Sequence, residues 1–220
     1  PLTRFQVVLV ILALACGGFG IGTGEFAIMG LLPDVAATFQ VTTPQAGYVI
    51  SAYAMGVVVG APLIAIAGAK ASRRSLLLIL MSVFTVGNLA SAMAPDLLSF
   101  TVLRFLTGLP HGAYFGVSAL VAASLVPVQM RAQAVGYVMM GLTVATLLGT
   151  PVMAYFGQSL NWRVLFLSVG VIGAITVTLI WLGRRTIEGI EPGRTITVHG
   201  RIGRRGKERV LYNPRYELDA

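Results

Sequence analysis

Charge is what this sequence has least of. Only 11% of its 220 residues are Asp, Glu, Lys or Arg, against 56% hydrophobic ones, and the mean hydropathy is +0.83. Soluble domains carry about a quarter charged residues, so a soluble fold is excluded for most of the chain, which reads as a membrane protein. The scarce charge is also unevenly spread: residues 1–185 hold nine Lys/Arg and three Asp/Glu, while 186–220 hold seven and five. The hydrophobic body therefore ends near Arg185, giving a transmembrane bundle over 1–185 and a basic tail over 186–220. Cysteine is nearly absent. The single Cys16 lies in an apolar run, which excludes a disulfide framework and a thiolate metal cluster; no metal or cofactor is expected. A net charge of +8 raises nucleic acid as a partner, yet the body's basic residues sit at the ends of apolar runs, where they act as topology signals. Nucleic acid is not expected; membrane lipid is.

What is abundant is long apolar sequence. Phe5 to Gly24 contains no charge, and about twenty helical residues at roughly 1.5 Å each cover a bilayer core of about 30 Å. It is too long for a signal-peptide core. Comparable runs follow at about 47–69, 75–94, 97–125, 132–156 and 164–183, each bounded by Pro, Gly or charge, so six spanning helices are expected. A closed β-barrel would alternate apolar and polar residues, and these runs do not. Arg4, Lys70, Arg73, Arg74, Arg131, Arg184 and Arg185 fall on one side of the expected bundle and Arg163 alone on the other, which puts both termini in the cytoplasm of a multi-pass protein of the cell (inner) membrane.

Against that background, ionisable residues inside spans stand out. Glu25 lies eight residues before Pro33, roughly 12 Å from the expected outer end of the first span, and a charge near mid-bilayer costs on the order of 3 kcal/mol. Arg104 lies seven residues into the fourth span from the same face, at similar depth, so the two can pair. That pair reads either as a structural strut or as a substrate or proton site. His111 and Ser118 follow Arg104 at seven-residue steps and share its stripe; His111 reads as a packing residue or as a direct participant. The expected solute-binding set is Glu25, Met29, Tyr53, Arg104, His111 and Tyr114, with Glu25 and Arg104 the candidates for a proton-coupling site. Glycines and proline interrupt spans one and four, a pointer to a binding site in repeat-built transporters, and also a means of tight packing. In span five Gly141, Ala145 and Gly149 line one face ahead of Pro151, predicting close helix contact and a kink.

Taken together these segments resemble the amino-terminal half of a major facilitator superfamily transporter, specifically the drug:proton antiporter group that includes arabinose-efflux-like permeases. Gly24-Glu25-Phe26 through Leu32-Pro33-Asp34 resembles the family's first-helix motif. Leu103-Arg104 through Gly108-Leu109-Pro110-His111-Gly112 resembles its fourth-helix motif, whose arginine is associated with proton coupling. Gly141, Ala145, Gly149 and Pro151 resemble the fifth-helix motif that distinguishes antiporters. The loop motif of Gly68, Lys70, Arg73 and Arg74 keeps the basic residues, while Gly68 stands where the family has the acid of its charge latch. The resemblance implies an all-α membrane protein of six transmembrane helices, half of a twelve-helix fold, with a short basic tail. It also implies secondary active transport, by proton-coupled efflux of sugars, drugs or other small amphipathic solutes, with a missing carboxy-terminal half or a second copy as partner.

Two rivals are weighed. A truncated, non-transporting half is one. An intramembrane serine protease is the other, and it fits poorly: Gly116-Val117-Ser118-Ala119 lacks the glycine after serine, and the body's histidine shares the serine's own helix. The expectation is not an enzyme. The tail, with Thr195-Ile196-Thr197-Val198 alternating toward a second β-branched stretch, has a strand-turn-strand pattern. Three readings are open for it: a solvated cytoplasmic tail, a frame-change product, or a fragment of a small basic β-domain.

Overall fold

The computed structural model describes residues 3–182, 196–205 and 208–218, in two units that divide between Trp181 and Leu182. Among the described residues of the first unit, six helices are long and apolar enough to cross a membrane. They are α1 (Arg4–Phe39), α2 (Thr43–Lys70), α3 (Arg73–Ala92), α4 (Leu97–Ser124), α5 (Val128–Ser159) and α6 (Arg163–Leu182).

The helix starts are written locally. Thr3 with Gln6, Thr42 with Gln45 and Asp96 with Ser99 form reciprocal capping boxes, and the Ser72 hydroxyl accepts from the Ser75 N–H. Each satisfies N–H groups that the first helical turn leaves open. The first helix runs further than its proline implies. It passes through a 3₁₀ turn at Ala27–Leu31 and resumes as Leu32–Phe39. Pro33 sits in the first turn of that last segment, where a missing N–H costs nothing. The helix stops where Gln40 adopts φ 55°.

The kink expected beside Pro151 takes the form of a π-helical turn over Ala145–Gly149, with the Thr150 N–H reaching back to the Ala145 carbonyl. Proline cannot donate to the carbonyl four residues earlier, and the wider turn accommodates that loss.

Packing rests on backbone-close approaches. A Cβ on Gly141 would strike the Ala15 carbonyl of α1, and one on Gly108 of α4 would strike the Tyr53 carbonyl of α2, so neither residue can be larger without parting two helices. Buried hydroxyls and the Asn88 amide on α3 and α6 return their hydrogens to carbonyls one turn back: Thr85 to Met81 at 2.6 Å, Asn88 to Phe84 at 2.8 Å, Ser91 to Gly87 at 2.7 Å and Thr176 to Ile172 at 2.9 Å. In an apolar surrounding this satisfies the donors of these side chains within their own helix. An aromatic group of Phe39, Phe100, Trp162 and Phe166 closes one end, its rings 5.0–6.1 Å apart.

The second unit contains an antiparallel hairpin of β1 (Ile196–Arg205) and β2 (Glu208–Leu218). Ile196 stands opposite Leu218 and Arg205 opposite Glu208, with an irregularity between His199 and Arg201. Arg184 and Arg185, used above as topology signals, lie outside the described residues.

Candidate functional site

Three helices bring the polar groups together. Because α2 touches α4 backbone to backbone at Tyr53 and Gly108, the Tyr53 side chain meets His111, one turn further along α4. The Tyr53 hydroxyl and His111 Nδ1 are 2.9 Å apart. The same Nδ1 lies 3.7 Å from Glu25 Oε2 on α1. Phe115 packs beside the imidazole at 5.3 Å between ring centroids.

Glu25 therefore meets His111, where the sequence placed it with Arg104. The helix lengths explain the correction. With Pro33 as the end of the first helix, Glu25 counts to the depth of Arg104. The helix continues to Phe39, so Glu25 stands fourteen residues from that end, and His111 stands fourteen residues from the Leu97 start of α4. Arg104 reaches instead the peptide carbonyl beside Glu25, with Nη2 donating to Gly24 O at 3.3 Å. Its guanidinium lies 4.2 Å from the Tyr53 ring centroid and 5.3 Å from that of Phe166, a cation–π seat. Arg104 is 1% exposed, and its Nε and Nη1 have no hydrogen-bond partner among the described groups. A buried guanidinium with unmade bonds is costly, which marks it as more than filler.

The other expected residues fall in different places. Met29 is half exposed in the 3₁₀ turn of α1, one turn beyond Glu25. Tyr114 does not join the group: it is fully buried, its hydroxyl donates to the Leu14 carbonyl at 2.8 Å, and it fills the space that Gly17 leaves. It bolts α4 to α1 and has no free polar atom to offer a solute. Gly141, Ala145 and Gly149 all face α1, against Ala15, Gly22 and Thr23, and Pro151 follows the π turn. Gly68 and Lys70 form a 3₁₀ turn ending α2; Arg73 Nη1 donates to the Leu120 carbonyl of α4 at 3.4 Å, and Arg74 stands beside it in the first turn of α3.

Three participants were passed over. Phe166 supplies one face of the arginine seat, the Gly24 carbonyl supplies the hydrogen bond that Arg104 makes among the described residues, and Asn88 is fully buried with Oδ1 unpartnered among them, 3.7 Å from where a Cβ added to Gly24 would stand. Asn88 was findable. An amide in an apolar span, flanked at three-residue steps by Thr85 and Ser91, is as unusual as a charge there.

A charge buried within a six-helix membrane bundle is the kind of feature that points to a membrane transport protein. Residues 14–210 match the family described as Major Facilitator Superfamily, and the chain belongs to it. It is 48% identical over 167 residues to the inner membrane transport protein YdhP of Escherichia coli (strain K12), covering 76% of this chain and 43% of that protein. It is 35% identical over 158 residues to a chloramphenicol resistance protein of Streptomyces lividans, covering 72% and 40%. The proton:xylose symporter XylE of E. coli shares the fold, with a TM-score of 0.73 at 17% identity over 82% of this chain and 45% of that one. The chain thus spans less than half the length of these proteins; the two sequence relatives are consistent with the efflux-permease resemblance of its motifs. They are transporters and not enzymes.

Proposed function

We propose that this chain forms one half of a secondary active transporter that exports a sugar, drug or other small amphipathic solute in exchange for protons. The observation that carries this reading is the group of buried Tyr53 and Arg104 with half-buried Glu25 and His111, since ionisable residues inside membrane helices mark substrate and proton pathways. The name of one relative supports it, a chloramphenicol resistance protein. In this reading Glu25 and Arg104 couple proton to solute, while Met29, Tyr53 and His111 line the solute's path. Both termini face the cytoplasm of the inner membrane; reporter fusions after residue 182 and within 40–45 should report opposite sides, and one shared side would overturn this.

A second wall completes the pathway, supplied by a carboxy-terminal half or by a second copy. The helices with least cover inside the unit are α2 and α5, whose most apolar windows are 22% buried each, against 44% for α1 and α3. Alternating access rocks one half against another around a central site, and α2 and α5 are the faces open to such a partner. Paired with that half in liposomes, the chain should drive solute-dependent proton flux across a panel of sugars and lipophilic cations, and Glu25→Gln should abolish it with insertion intact. Full coupled flux in that variant would return Glu25 to a packing role. The chain alone should insert without flux, as the truncated-half reading also requires; flux from it alone would make it a protomer of a symmetric dimer.

A further inference from the structure

Resting on the proton-coupled reading above, we propose that the exchanged proton is shared between Glu25 and His111, with His111 a second proton site and Tyr53 a residue that positions it. The geometry is specific to one atom. His111 Nδ1 faces both the Tyr53 hydroxyl at 2.9 Å and Glu25 Oε2 at 3.7 Å, so a proton arriving on this nitrogen has a carboxylate within reach. Arg104 cannot take that part, because a guanidinium does not release its proton in proteins. Access differs as well: the side chains of His111 and Glu25 are 14% and 27% exposed, whereas Arg104 is sealed at 1%.

The groups facing the couple are few. From α4 comes Arg104, a fixed cation; from α2, the Tyr53 phenol. Among the described neighbours of these helices, Asn88 and Val169 lie against Gly24 and Leu142 and Ala145 against Gly22 on α1, and Phe166 against Arg104, none of them titratable. The phenol sets the imidazole's tautomer. With Glu25 ionised and His111 neutral, the Tyr53 O–H donates to Nδ1 and the imidazole keeps its hydrogen on Nε2. When a proton binds Nδ1, that nitrogen becomes a donor, and the phenol oxygen must turn to accept. Transfer then breaks the Nδ1–H bond and forms the Oε2–H bond, leaving a neutral imidazole and a carboxylic acid. The site discharges by the reverse step, and no electrons change hands. Rings of Tyr53 and Phe115 at 5.8 and 5.3 Å hold the imidazole plane through the exchange.

The test uses the 220-residue chain in lipid nanodiscs with ¹⁵N-labelled histidine, its second histidine removed by His199→Gln so that the signals belong to His111. Nitrogen shifts report tautomer and protonation directly. In the starting chain a single neutral tautomer, hydrogen on Nε2, should dominate. Tyr53→Phe keeps the ring beneath Arg104 and removes only the hydroxyl; it should reduce the tautomer preference at least tenfold while helical content is unchanged. Glu25→Gln should lower the imidazolium fraction at a given pH at least threefold, because an attracting carboxylate is gone. If either variant leaves tautomer and titration as in the starting chain, the couple is overturned and His111 is a packing residue. Flux through the paired transporter separates the two readings: a displaced pH profile in Tyr53→Phe supports the couple as carrier. Absence of proton flux in the unmutated protein overturns the transport reading and the carrier role with it, even where the nitrogen signals show the two groups titrating together.

Discussion

Two arginines in this bundle solve the same problem in opposite ways. Arg163, at the start of α6, gives Nη1 to the Ala92 carbonyl at 2.7 Å and Nη2 to the Ala94 carbonyl at 2.8 Å, and lies 4.6 Å from the Trp162 ring. It closes the open carbonyls at the end of α3, as basic side chains at helix C-termini do. Arg104, deeper and wholly buried, has one carbonyl at 3.3 Å and two nitrogens with none. A residue kept for packing would be expected to look like Arg163, with its hydrogen-bonding capacity spent. Arg104 keeps two nitrogens without a partner among the described residues, as the proposed coupling role requires.

Replacing each arginine by glutamine should therefore give mirror-image results. Arg104→Gln has the larger effect: solute-driven proton flux through the paired transporter should fall about a hundredfold, equivalent to about 2.7 kcal/mol. The melting of the purified chain should change by less than the equivalent of about 1 kcal/mol, since removing a buried charge with unmade bonds relieves a desolvation cost. Flux assays and thermal melts on one preparation check both halves. A large loss of stability with flux retained would erase the contrast.

Arg163→Gln should reverse that pattern. Losing two short charge-assisted bonds to carbonyls should cost about 2 kcal/mol, read as a lower melting temperature in detergent, while flux per folded molecule is unchanged. A neutral melt would show that water or another side chain caps α3 equally well.

The comparison also shows what could be read from the sequence. Six spans, their caps and the family motifs were legible because membrane helices state their length in apolar runs and their starts in Ser, Thr and Asp. Arg163 was legible only as a topology signal; its work as a cap depends on α6 beginning beside the end of α3, a tertiary fact. The Glu25–Arg104 pairing was misread because proline was taken as a stop, whereas in the first turn of a resumed helix it is neutral, and six further residues of α1 move Glu25 to the level of His111. Tyr114 follows Arg104 by ten residues on α4, and only the fold shows that its hydroxyl donates to the Leu14 carbonyl of α1.

The smallest expected effect concerns Asp96, two residues beyond the Ala94 carbonyl that Arg163 holds. Its Oδ1 accepts the Ser99 N–H at 2.8 Å, and the Ser99 hydroxyl lies 3.4 Å from the Asp96 N–H, so it caps α4 as Arg163 caps α3. Acidic residues contribute little to membrane orientation, so its worth should be that of the cap alone. Asp96→Ala should cost about 1 kcal/mol and Asp96→Asn much less, because asparagine keeps an acceptor at the same place; melts of the two variants would show the difference. Sidedness of the reporter fusions should be the same in both. An inverted bundle in Asp96→Ala would mean that this end of the protein is held by charge across the membrane, and Arg163 would then have to be reread as part of that balance.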